Sequence, residues 1–125
     1  MRTISADYIF PVASSPIKNG VVVVDGTGVI MEVTEDKGQG ANEMEKHSGI
    51  IVPGFVNTHC HLELSHLKGQ VTDRKGITGF ISELVSKRGA FSPEQIKLSI
   101  ESAEDEMIRN GIVAVGDISN GDHSF

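Results

Sequence analysis

The sequence contains a single cysteine among its 125 residues. No internal disulfide can form, so the reducing interior of the cytoplasm is the expected setting. No block of lysine or arginine occurs, and the net charge is −6. A nucleic acid or an anionic membrane would want a basic face, and neither is expected as a partner. No apolar run approaches the roughly 20 residues of a membrane span. The charged-then-apolar pattern of a secretion signal is also missing, because Ile9-Phe10 runs straight into Pro11. There is no internal repeat and no low-complexity segment.

What remains is a chain with 38% hydrophobic residues and clear Val/Ile runs. That length and composition are enough for a folded core without staples. The first fifty residues read as β. Thr3 to Phe10 is a strand closed by Pro11. Val21–Val24 and Val29–Val33 flank the turn "DGTG" and read as a hairpin. Glu35 to Ser48 is polar and reads as an exposed loop, after which Ile50–Val52 opens an apolar run.

From Pro53 the texture changes. Phe55-Val56 reads as a buried strand. Phe80, Ile81, Leu84 and Val85 share one helical face, with Thr78 as N-cap and Gly89 as a stop. A stronger helix follows at "SPEQ", where Ser92 caps, Pro93 takes the first helical position and Gln95 completes a capping box. Ile96, Ile100, Ala103 and Met107 make its apolar stripe, Gly111 ends it, and "IVAVGDI" is a second apolar strand. Apolar strands on either side of a helical stretch are the pattern of a parallel βαβ crossover. The chain therefore divides into a β-rich part, residues 1–52, and the opening of an α/β part, residues 53–125.

The chemistry concentrates in "PGFVNTHCHLELSHL", Pro53 to Leu67. His59 and His61 stand one residue apart, so on a strand they project to one side and Cys60 to the other. Two imidazoles at a strand end can reach one cation, although a bare H-x-H also arises by chance. Cys60 reads as a small packed hydrophobe. Asp117 ends the second strand, where either a site-facing or a structural hydrogen-bonding role is open.

"GIIVPGFVNTHCHLELS" and "GIVAVGDIS" resemble the amidohydrolase superfamily. The closest branch is that of cytosine, guanine, aminodeoxyfutalosine and adenosylhomocysteine deaminases and the triazine chlorohydrolases. The resemblance implies N-terminal β-sandwich strands followed by the opening strand-helix-strand of a (β/α)8 barrel, incomplete in this chain. It implies His59 and His61 as ligands of one divalent metal, zinc or iron, that activates water for attack on a heterocyclic substrate's ring carbon. By the same resemblance Glu63, which shares the histidines' parity, is a candidate for contact with substrate or with the groups that support the metal ligands, against a solvated strand-end carboxylate. His66 sits in a loop where substrate could pass, against an ordinary surface histidine. The H-x-E of "HLE" also fits the unrelated zinc deaminases of the cytidine type, but those need a downstream P-C-x-x-C. The lone cysteine excludes that alternative.

A catalytic metal usually takes three protein ligands and a water. Here the family's further ligands, two middle-strand histidines and a late aspartate, have no counterpart, and His123 lies too near the end to serve. A (β/α)8 barrel takes roughly 250 residues. The expectation is a truncated amidohydrolase, inactive alone, against one piece of a split protein or a non-catalytic domain that binds metal or a partner. The ending "SNGDHSF", with no returning strand, favours truncation. The unpaired edges of an opened barrel lead one to expect self-association or a missing remainder of the chain.

Overall fold

The computed structural model describes residues 1–38, 44–72 and 76–120. The chain forms two compact units, Met1–Pro53 and Gly54–Phe125. In the first, strands β1 (Arg2–Ile9), β2 (Ile17–Val24), β3 (Ile30–Glu35), β4 (Met44–Lys46) and β5 (Ile50–Ile51) make one mixed sheet. Its order is β3-β2-β1-β4, and β5 also pairs with β1. β1–β2 and β2–β3 are antiparallel, whereas β4 and β5 both run parallel to β1. Ala6, Ile9, Val21 and Val22 are buried at its centre.

The hairpin forms where the "DGTG" turn placed it. Asp25 closes it: Oδ1 accepts from the Thr27 and Val29 backbone N–H groups at 2.8 and 3.0 Å and from the Thr27 hydroxyl at 2.7 Å. The loop expected over Glu35–Ser48 is a correction, because β4 lies inside it. A three-residue edge strand needs no apolar alternation. It is held by ladder bonds and by Glu45, whose two carboxylate oxygens each accept from Arg2 at 2.9 Å. Residues 39–43 of that loop lie outside the described residues. Among the described residues this unit is a single sheet layer.

The second unit runs through β6 (Phe55–Cys60), a 3-10 helix (Leu62–Leu67), α1 (Gly76–Lys87), α2 (Pro93–Arg109) and β7 (Ile112–Asp117). β6 and β7 are parallel, as the crossover pattern required. The capping box of α2 is formed in both directions: Ser92 Oγ accepts from the Gln95 N–H at 3.2 Å, and Gln95 Oε1 accepts from the Ser92 N–H at 2.8 Å. Ile100 is buried on the expected stripe, and α2 packs against the 3-10 helix, whose Leu62 and Leu67 are also buried. Gly111 takes φ +79° just past α2, a left-handed conformation that ends helices readily in glycine.

Two expectations fail in this unit. Thr78 is no N-cap, because α1 already begins at Gly76 and Thr78 lies inside it. Nor is the histidine-bearing strand buried. Phe55 and Val56 are both 59% exposed, and Val113 on β7 is 72% exposed. The composition is that of strands covered on both faces, but the described residues cover neither face fully. Among the described residues no helix is long and apolar enough to cross a membrane.

Candidate metal centre

β6 alternates its side chains until Cys60, and His61 continues with an extended φ of −133°. Strand parity therefore carries over to His61. The rings of His59 and His61 meet edge to face, with centroids 5.1 Å apart and planes at 79°. His61 Nδ1 lies 2.6 Å from the carbonyl oxygen of Ile118, just past β7. A carbonyl can only accept, so in this bond Nδ1 carries a proton, and in the neutral ring that leaves Nε2 with the lone pair a metal needs. This is a chemically suitable half-site. Among the described residues no group of three or more His, Cys, Asp or Glu side chains is arranged to hold a metal ion. His123 lies outside the described residues.

Cys60 points to the other side, as expected, with Sγ 3.7 Å from Asp117 Oδ1. Burial foremost, and then the Asp117 charge and hydrogen bond, push its thiol pKa up. Asp117 Oδ1 also accepts from the Leu62 backbone N–H at 2.8 Å. Of the two roles left open for Asp117, the structural one is seen in these bonds.

Glu63 departs from its expected place. Strand parity stops at His61 because the 3-10 helix begins at Leu62, so the alternation that paired Glu63 with the histidines does not reach it. Nor is it a solvated strand-end carboxylate, since only 9% of the residue is exposed. Its oxygens accept from the Asn120 Nδ2 at 2.7 Å, the Asn120 backbone N–H at 3.0 Å and the Ser119 hydroxyl at 3.3 Å. Burial pulls its pKa up, but these hydrogen bonds together outweigh it, and the carboxyl lies below its usual range.

His66 is likewise not a surface histidine. It is 9% exposed and packs edge-on to Phe91 at 4.9 Å between centroids. Among the described residues neither ring nitrogen has a hydrogen-bond partner. It borders a cleft of about 470 Å³ shared with His61, Ser65 and Ser102, and another of about 270 Å³ shared with Glu63, Arg88 and Asn120.

Beyond Asp117, the segment Ile118–Asn120 was the part of the site that residue patterns missed. One signal was present: glycine inside an apolar strand marks close backbone approach. A Cβ on Gly116 would stand 2.7 Å from the Thr58 carbonyl oxygen, so glycine lets β7 lie against β6 beside His59.

The sequence model of the amidohydrolase family matches residues 50–124. A 5'-deoxyadenosine deaminase of Methanococcoides burtonii is 31% identical over 103 residues, covering 82% of this chain and 24% of that protein. The aminofutalosine deaminase of Helicobacter pylori, solved with methylthio-coformycin, superposes with a TM-score of 0.75 at 23% identity. The match covers 96% of this chain and 30% of that one. The atrazine chlorohydrolase of Arthrobacter aurescens TC1, solved with zinc, also gives a TM-score of 0.75, at 20% identity over 94% of this chain and 28% of its own. The chain spans about a quarter of the length of the curated relatives it matches.

Proposed function

We propose, from the fact that this chain belongs to the amidohydrolase family, that it is the N-terminal portion of an enzyme that hydrolytically deaminates or dechlorinates a nitrogen heterocycle. Residues 1–52 are assigned to the β-sandwich that accompanies the barrel, and residues 53–125 to the barrel's first strands and helices. The observation that carries the reading is the facing pair His59 and His61, with the Nδ1 of His61 engaged by Ile118. The relatives' names support the reaction class: their substrates offer a ring carbon bearing an amino group or a halogen.

A divalent ion, zinc or else iron, would be held by His59, His61 and ligands beyond the described residues. When bound, it supplies a water acidic enough to ionise near neutral pH. The chain's own part is to hold and orient two of the ligands. His66, buried with both nitrogens unbonded beside a cleft that His61 also lines, is assigned to contact the heterocyclic substrate. Glu63, with its oxygens occupied by Ser119 and Asn120, is not.

The reading is tested by ammonia and chloride release from purine nucleosides, pyrimidines and chlorotriazines. The zinc-treated chain alone is expected to give none, since two histidines supply only part of a coordination shell and no acid/base group is placed over the substrate. The same chain extended by its downstream reading frame is expected to turn over one of these classes. Turnover by the isolated chain that His59→Ala abolishes would overturn the fragment reading. A downstream frame without further histidines and a late aspartate would overturn the enzyme reading.

A further inference from the structure

A set of hydrogen bonds stitches the segment leaving β6 to the segment leaving β7. The Ile118 N–H donates to the Cys60 carbonyl at 2.9 Å, and the Leu62 N–H donates to Asp117 Oδ1 at 2.8 Å. His61 Nδ1 donates to the Ile118 carbonyl at 2.6 Å. Asn120 donates twice to Glu63, through its backbone at 3.0 Å and its side chain at 2.7 Å. The bonds from Asn120 depend on the buried Glu63 carboxylate, as the bond from Leu62 depends on Asp117. Asp117 and Cys60 secure the start of the β7 exit, whereas Glu63 secures its far end, two residues past the carbonyl that receives His61.

We infer that Glu63 is a positioning residue: by holding Ser119 and Asn120 it fixes the Ile118 carbonyl, and through that carbonyl the ring plane and tautomer of His61. The inference rests on the metal-site reading only for its consequence, since the orientation of His61 can be observed without metal. A buried carboxylate gripping a loop end is a costly arrangement unless its bonds are complete, and here all three donors come from two consecutive residues. Partners that orient a histidine ligand typically change metal affinity by about 10- to 100-fold when removed.

The test is heteronuclear NMR of the imidazole nitrogens in the metal-free chain, with zinc binding measured on the same samples. The unaltered chain is expected to show His61 with Nδ1 protonated and Nε2 bare. In Glu63→Ala these two signals should move towards the exchange average, while those of His66 hold, and zinc affinity should fall about tenfold or more. Glu63→Gln, which keeps an acceptor oxygen, should restore part of both. An unchanged His61 pattern in folded Glu63→Ala would overturn the inference. Should Glu63→Ala fail to fold, Asn120→Ala decides, because Asn120 is exposed and its loss removes one grip: a shifted His61 supports the inference, and an unshifted one overturns it. If the unaltered chain binds no zinc while His61 still follows Glu63, the positioning stands on the nitrogen signals. Absence of zinc from the chain extended by its downstream reading frame would overturn the metal reading separately.

Discussion

The imidazoles of His59 and His61 stand edge to face with centroids 5.1 Å apart, one on β6 and the other a single residue beyond its end. Two ring nitrogens on one side of a strand can share a cation but cannot close its shell. The isolated chain should therefore take up less than one equivalent of zinc after dialysis, and either His59→Ala or His61→Ala should reduce that to background. Elemental analysis measures it. Tight, equimolar metal that survives His61→Ala would remove the pair from the site.

The turn at Asp25 sets a pH dependence. The Thr27 hydroxyl foremost, then the Val29 and Thr27 N–H groups, hold its carboxyl below the usual range. A depressed folded pKa means stabilisation that is fully present above the unfolded value of about 3.9 and is lost as pH falls through the folded pKa. Melting temperature should thus drop on acidification below about pH 4, with a shallower drop in Asp25→Asn. Equal slopes for the two proteins would show that the turn is not responsible.

His66 carries a cost that the described residues do not recover, since among them neither ring nitrogen is bonded while the residue is nine-tenths buried. His66→Phe keeps the ring contact with Phe91 and removes two unsatisfied polar atoms. It should raise stability by about 1 kcal/mol, read from denaturant unfolding. Destabilisation on this substitution would mean that the imidazole has a partner in solution. A gain in stability paired with lost substrate binding in the extended protein is the outcome that the proposed role requires.

Gly116→Ala should be costly for its size. The new methyl would meet the Thr58 carbonyl at 2.7 Å, and backbone yields less readily than a side chain. A loss of about 1–3 kcal/mol is expected, together with altered His59 resonances, because Thr58 adjoins it. A neutral effect would show that β6 and β7 can move apart freely.

Local signals were legible wherever backbone chemistry acts over a few residues. The capping box at Ser92 and Gln95, the Asp25 turn and the parity of His59 and His61 all fall in this class. Expectations failed where the deciding contact lay far along the chain. β4 forms because Arg2 reaches Glu45 and β1 offers an edge, and neither fact is written near residue 44. Glu63 was misplaced for a related reason: its partners, Ser119 and Asn120, are more than fifty positions away, and a 3-10 helix begins where strand alternation was extended one step too far. The apolar composition of β6 and β7 was readable, but burial is a property of what covers a strand and not of the strand itself.

The placement of β1 between β2 and the pair β4 and β5 also has a consequence in time. β1 is synthesised early and finds β2 within a few residues of chain, yet its other edge waits for residues 44–51. At translation rates of about 5–20 residues per second that wait lasts on the order of several seconds. Throughout it the β1 edge, centred on Ser5 and Tyr8, is open to any other extended chain nearby. Ribosome stalling between residues 24 and 44 should therefore favour aggregation, and stalling after the β5 residues have emerged should not.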